Sequence, residues 1–68
     1  TWAPSGTDLE NLADHLNITH KAIKELNAEL LLGYVPKQTN GHYIRIPLNS
    51  LSVAKQFFRD QNKKFALD

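Results

Sequence analysis

The 68-residue sequence has no cysteine, a single tryptophan, and only three glycines and three prolines. Without cysteine, neither a disulfide framework nor a thiolate metal site can staple the fold, and the redox character of its compartment is left open. No apolar run is long enough for a signal peptide or a membrane span. The chain opens on Thr1 rather than methionine and is read as a segment of a longer protein, any targeting signal lying outside it. Internal repeats and low-complexity stretches are missing too. What is left is at most one domain, with a core only just large enough to hold it together.

Charge is small in sum, +1, but uneven along the chain. Residues 8–29 carry Asp8, Glu10, Asp14, Glu25 and Glu29 against Lys21 and Lys24, a net of −3. Residues 30–68 carry Lys37, Arg45, Lys55, Arg59, Lys63 and Lys64 against Asp60 and Asp68, a net of +4. An acidic first part is followed by a basic second part.

The clearest local signals lie between Thr7 and Leu32. Thr7 and Glu10 have the spacing of a capping box. Leu9, Leu12, Ala13 and Leu16 then recur at i, i+3, i+4 and i+7, one apolar stripe over two helical turns. Asn17 is expected as a left-handed stop. Thr19 caps a second helix at once, with Ile18 and Ile23 as a hydrophobic staple and Ala22 and Leu26 extending the stripe toward Asn27. Leu30, Leu31 and Leu32 follow without periodicity, so at least one is expected in solvent.

Flanking this hairpin, the segment Thr1–Gly6 is extended and ends in a Ser5-Gly6 turn. Trp2 is expected as a core anchor, with an exposed stacking surface as the alternative. Lys37–Gly41 is a polar turn, and His42–Pro47 alternates as a strand with Ile44 and Ile46 on one side, Tyr43 and Arg45 on the other. Its nearest partner is the Thr1–Ala3 stretch, giving a two-stranded antiparallel sheet that the helices must cover. Ser50 or Ser52 caps a third helix with Leu51, Val53, Ala54, Phe57 and Phe58 on its apolar face and Phe65 and Leu67 left to dock or fray. That helix either completes the core or connects to a further module.

The runs GTDLENLADHLNIT, ELNAELL, GYVP and HYIRIP together resemble a lysin-motif (LysM) domain, most closely the divergent LysM modules of membrane-bound lytic murein transglycosylase D. The resemblance implies an α+β fold, a compact βααβ unit over residues 1–49, with residues 50–68 as a C-terminal helix or connector. It also implies a non-catalytic module that binds the N-acetylglucosamine-containing glycan of peptidoglycan, or chitin, and tethers a cell-wall lytic transglycosylase to it. Gly6, Thr7, Asp8 and Leu9 stand where the family has its Gly-Asp-Thr-Leu turn, with Thr and Asp in swapped order. Asn27, Ala28, Glu29 and Leu30 stand at its Asn-Pro pair, with alanine in place of proline. By that likeness one shallow groove is lined by Gly6, Thr7, Asp8, Leu9, Glu29, Leu30, Leu31 and Leu32. No cofactor or metal, no nucleic acid and no membrane insertion is implied; the module is expected to be monomeric within a larger chain of the cell envelope, in the periplasm or at the outer membrane.

Each candidate also has a purely structural role open to it. Thr7 is explained as a cap, Asp8 as a first-turn acid, Leu30–Leu32 as core, and Tyr34 and Tyr43 as half-buried rings. Two other functions compete. LADHLNITHKAIKEL also has the look of a winged helix-turn-helix, but its net −3 would meet phosphates with like charge and no helix precedes the pair. A degenerate module acting only as a docking spacer, with Phe57 and Phe58 as its contact face, is the other. Catalysis finds no support: Ser5, Asp14 and His15 are present without a spacing that places a nucleophile beside a base, and His15, His20 and His42 share no metal-ligand spacing.

Overall fold

A computed structural model describes the backbone of residues 1–66 and the side chains through Gln61, so the expectations for Phe65 and Leu67 lie outside the described side chains. The elements run β1 (Trp2–Ala3), α1 (Leu9–Leu16), α2 (His20–Leu26), β2 (His42–Tyr43), a 3-10 turn (Leu48–Ser50) and α3 (Leu51–Ala66). β1 and β2 pair antiparallel, Trp2 with Tyr43 and Ala3 with His42. The Ile44 amide extends the ladder by one bond of 2.8 Å to the Thr1 carbonyl. This is the small α+β arrangement expected, a two-stranded ribbon with a helical hairpin and a C-terminal helix.

The α1 stripe is buried at every predicted position, Leu9, Leu12, Ala13 and Leu16. Asn17 ends the helix in the left-handed region at φ 59°, and Thr19 caps α2 through a 3.0 Å bond from the Ala22 amide to its hydroxyl. The start of α1 differs from the expected capping box. Asp8, not Thr7, is the cap, its carboxylate accepting from the Glu10 amide at 2.9 Å. The Thr7 hydroxyl turns back to donate to the Pro4 carbonyl at 2.7 Å, and Thr7 is buried beneath the turn. With Thr and Asp in this order, the residue adjacent to the helix is the stronger capping side chain, and it takes the position.

Strand β2 is shorter than the alternation predicts, because the ladder is handed to a side chain. The Arg45 amide donates to Asn27 Oδ1 at 2.7 Å, and Asn27 Nδ2 donates to the Arg45 carbonyl at 2.9 Å and to the Ile23 carbonyl at 2.9 Å. The alternation itself holds. Ile44 is buried and Ile46 packs on the core, while Tyr43 and Arg45 face out.

Ala54, Phe57 and Phe58 of α3 belong to the same buried cluster as Ala3, the α1 stripe, Ile23, Val35 and Ile44. The predicted apolar face of α3 is narrower than drawn from sequence: its buried stripe is the i, i+3, i+4 set 54, 57 and 58, and Val53, one position off that stripe, stands half exposed with Leu51. Ser50 closes the preceding 3-10 turn, its amide donating to the Pro47 carbonyl at 2.9 Å. Trp2 departs furthest from expectation. It is 45 % exposed, because Ala3 is the β1 residue that faces the core and the pleat sends its neighbour outward.

Candidate functional site

The loop before α1 and the loop after α2 are stitched together by backbone. The Gly6 amide donates to the Val35 carbonyl at 2.8 Å, the Val35 amide to the Thr7 carbonyl at 2.9 Å, and the Leu9 amide to the Gly33 carbonyl at 3.0 Å. Asp8 and Tyr34 thereby face each other as an antiparallel bridge. Inside the second loop, Leu30 donates to the Asn27 carbonyl and Gly33 to the Leu30 carbonyl, both at 3.0 Å. Two consecutive turns bring the chain round, and Gly33 at φ 77° takes a conformation that a side chain would strain.

Along this seam runs an open groove of about 570 Å³ lined by Gly6, Asp8, Glu10, Lys24, Leu32, Gly33, Tyr34, Lys37 and Gln38. A second hollow of about 250 Å³ lies beyond it, lined by Glu29, Leu30, Leu31, Leu32, Tyr34 and Pro36. Leu32 and Tyr34 border both. Of the residues expected from sequence, Gly6, Asp8 and Leu32 line the first space, and Glu29, Leu30, Leu31 and Leu32 line the second. Thr7 and Leu9 are buried under the seam and line neither. Leu31 and Leu32 are 91 % and 72 % exposed, whereas Leu30 is partly buried against the core.

Glu10, Lys24, Lys37 and Gln38 enter the groove without having been expected there. Glu10 and Lys24 are far apart in sequence and meet only when α1 and α2 pack, Lys24 Nζ lying 2.6 Å from Glu10 Oε2. The i, i+4 logic that reveals helix pairs in a sequence does not reach across a turn. Lys37 lays its aliphatic stem over Gly6, its Cγ and Cε each 3.9 Å from where a side chain there would begin.

The charges are balanced. Asp8 and Glu10 face Lys24 and Lys37 in the groove, so it offers polar groups without a net field. Hydrogen bonding to Lys24, followed by the lysine charge itself and that of His20, holds the Glu10 carboxyl below the ordinary glutamate range. His20 continues the chain, its Nε2 2.8 Å from Asp14 Oδ1 and its Nδ1 3.7 Å from Glu10 Oε2. Glu29 is also held low, first by a backbone amide, then by His42 and Arg45, each 3.5 Å away, against some opposing desolvation. Both carboxylates are acids lowered in the folded state. The stability they contribute is present above the ordinary glutamate pKa and is lost as pH falls through their folded values. A shallow decline of the melting temperature is expected as pH falls below the ordinary glutamate range. Because the pairs are solvent-exposed, the effect is small, and Glu10→Gln is expected to flatten that acid limb.

The groups considered for catalysis do not assemble. Asp14 meets His20 rather than His15, and the His15 ring lies against Phe57 at 4.7 Å between centroids. Lys21 and Lys24 on α2 are each engaged by an acid of this chain, Lys21 with Glu25 at 3.9 Å and Lys24 with Glu10. Among the described residues, no helix is long and apolar enough to cross a membrane.

The family model described as lytic transglycosylase MltD, LysM-like domain, matches residues 3–63. No match to a curated protein or to a solved structure is found. The matched stretch takes in Ala3 of β1, both helices of the hairpin, the stitched loops, β2 and most of α3. The chain therefore belongs to the family of LysM-like domains of lytic transglycosylase MltD.

Proposed function

We propose that this domain is a non-catalytic module that binds the N-acetylglucosamine-containing glycan of peptidoglycan, or chitin, and tethers a cell-wall lytic transglycosylase to its polymer in the cell envelope. The observation that carries the reading is the seam groove, where two backbone-locked loops present the exposed Leu32 and Tyr34 beside balanced polar groups. A sugar ring is neutral, with apolar C–H faces and polar edges, and a pocket for it needs an apolar floor and a few fixed donors and acceptors rather than net charge. Leu32 and Tyr34 supply the floor; Asp8, Gln38 and Lys37 supply polar atoms at its edges. Leu30, Leu31 and Pro36 continue the apolar surface into the second hollow, with Glu29 as its polar group. Membership of a LysM-like family supports the same reading, and so does the acidic balance of residues 8–29, a net of −3 that meets phosphates with like charge.

The test is an amide NMR titration with chitin oligosaccharides, run beside a duplex DNA control. Shifts are expected at Gly6, Asp8, Leu32 to Tyr34 and Lys37 with sugar alone. DNA-induced shifts centred on Lys21 and Lys24 would overturn the reading, and silence with both ligands would favour a docking spacer. Leu32→Ala is expected to weaken peptidoglycan pull-down about three- to tenfold, on the scale of one apolar side chain's contact. Its melting temperature should move by no more than about 2–4 °C, because the leucine is mostly in solvent.

A further inference from the structure

The outer face of the β1–β2 ribbon carries a second feature that the groove does not use. Trp2 and Tyr43 are cross-strand partners, and their rings meet edge to face at 4.9 Å and 75°. Trp2 is 45 % and Tyr43 73 % exposed. The indole is nevertheless fixed in place from beneath. Gly41, at φ 132°, lies so close that a side chain there would begin 2.5 Å from Trp2 Cζ2 and 2.7 Å from the Ala3 carbonyl oxygen. The indole packs against a residue without a Cβ, in space that any side chain at Gly41 would fill, while the pair still presents much of its surface to water. An aromatic surface held this way loses little conformational freedom when something stacks on it.

Size and charge select the occupant. Two aromatic residues offer at most about 300–500 Å² even if wholly exposed, well below the roughly 800 Å² per partner of a stable protein interface. A second copy of the chain or a neighbouring protein is therefore poorly served. Stacked nucleobases need a basic track for their phosphates. Arg45, the nearby cation, faces Glu29, as does His42. A small, flat, uncharged surface with apolar C–H bonds fits what is left. The platform also lies near the groove, since Trp2 precedes Gly6 by four residues and their Cα atoms are at most about 14 Å apart.

We propose that the Trp2–Tyr43 pair forms a second sugar-contact surface, one ring stacking on the C–H face of a pyranose and the other, nearly perpendicular to it, bordering the sugar's edge, in the same glycan chain that occupies the groove. The proposal rests on the glycan-binding reading and adds to it a site outside the two loops. Trp2 is the one tryptophan of the sequence, so its emission reports on the platform directly. Titration of the intact domain with chitohexaose should give a saturable change in Trp2 fluorescence and shift the indole Nε1–H resonance. Tyr43→Ala should raise the dissociation constant about three- to tenfold, the scale of a lost aromatic contact. Circular dichroism monitors the fold of that variant, and the indole shift of the unaltered chain decides the matter should it unfold. Groove amides that shift while Trp2 emission and the indole resonance stay still would overturn the platform and leave the groove reading intact. A Trp2 response without groove shifts would support the platform and remove the groove. A response to single-stranded oligothymidine with none to chitohexaose would overturn the proposal in favour of a nucleobase.

Discussion

Asn27→Ala should lower the stability of this domain by about 3–5 kcal/mol, more than any other polar truncation in the hairpin. The side chain is 1 % exposed and makes three hydrogen bonds, to the Arg45 amide and to the Arg45 and Ile23 carbonyls. Alanine would leave the Ile23 carbonyl without its partner in a buried setting and the two Arg45 backbone groups without theirs in a part-buried one, at about 1–3 kcal/mol for each unsatisfied group. A chain of this size holds roughly 3–10 kcal/mol in all, at the usual 0.05–0.15 kcal/mol per residue. The variant should therefore be largely unfolded at room temperature, or melt at least about 12 °C lower by the usual scaling for small domains. Thr19→Ala gives the internal comparison, because it removes a single exposed capping bond at a cost of about 1 kcal/mol. Urea or thermal denaturation followed by circular dichroism measures both. Equal losses would show that Asn27 is only another helix stop. The consequence extends to the groove, since the Asn27 carbonyl also accepts from Leu30 at the start of the turn that presents Leu31 and Leu32.

That clamp also marks where sequence reasoning stops. The stripe Leu9, Leu12, Ala13, Leu16 is legible because helical periodicity is local, and each position is buried. Asn17 and Thr19 are legible for the same reason, since a left-handed stop and a cap act within a few residues. The pairing of the Trp2–Ala3 segment with His42–Tyr43 is legible because no other extended stretch competes strongly. Asn27 reads as a helix end from its neighbours, and only the folded chain shows that Arg45, eighteen residues on, depends on it. Trp2 is misjudged as a core anchor because residue type argues for burial, whereas the pleat assigns the inward position to Ala3. In the groove, the two loops flanking the hairpin are recognisable from the family-like runs, and they do meet. Which of their residues face out depends on a two-residue register. Thr7 and Leu9 turn in, Gly6 and Asp8 turn out, and the Glu10–Lys24 pair forms only across the helix interface.

A chain shortened to residues 1–49 should show no cooperative melting transition, and its amide NMR spectrum should lose the dispersion of a folded domain. The shortening removes Ala54, Phe57 and Phe58, all in the cluster that contains the α1 stripe. Burying two phenylalanines contributes about 3–6 kcal/mol by transfer alone, which is comparable with the whole stability of so small a domain. Their rings also pack edge to face at 5.4 Å, and Phe57 covers His15 of α1. Phe58→Ala in the full chain is the graded version, expected to cost about 3–5 kcal/mol as a cavity in the core. A shortened chain that melts within a few degrees of the full one would make α3 an appended connector and end this assignment. The glycan readout separates the two outcomes again. α1 carries Asp8 at its cap and Glu10 in its first turn, so losing the helix that packs against α1 should abolish sugar binding without removing any groove residue. A connector could be cut away with the affinity intact.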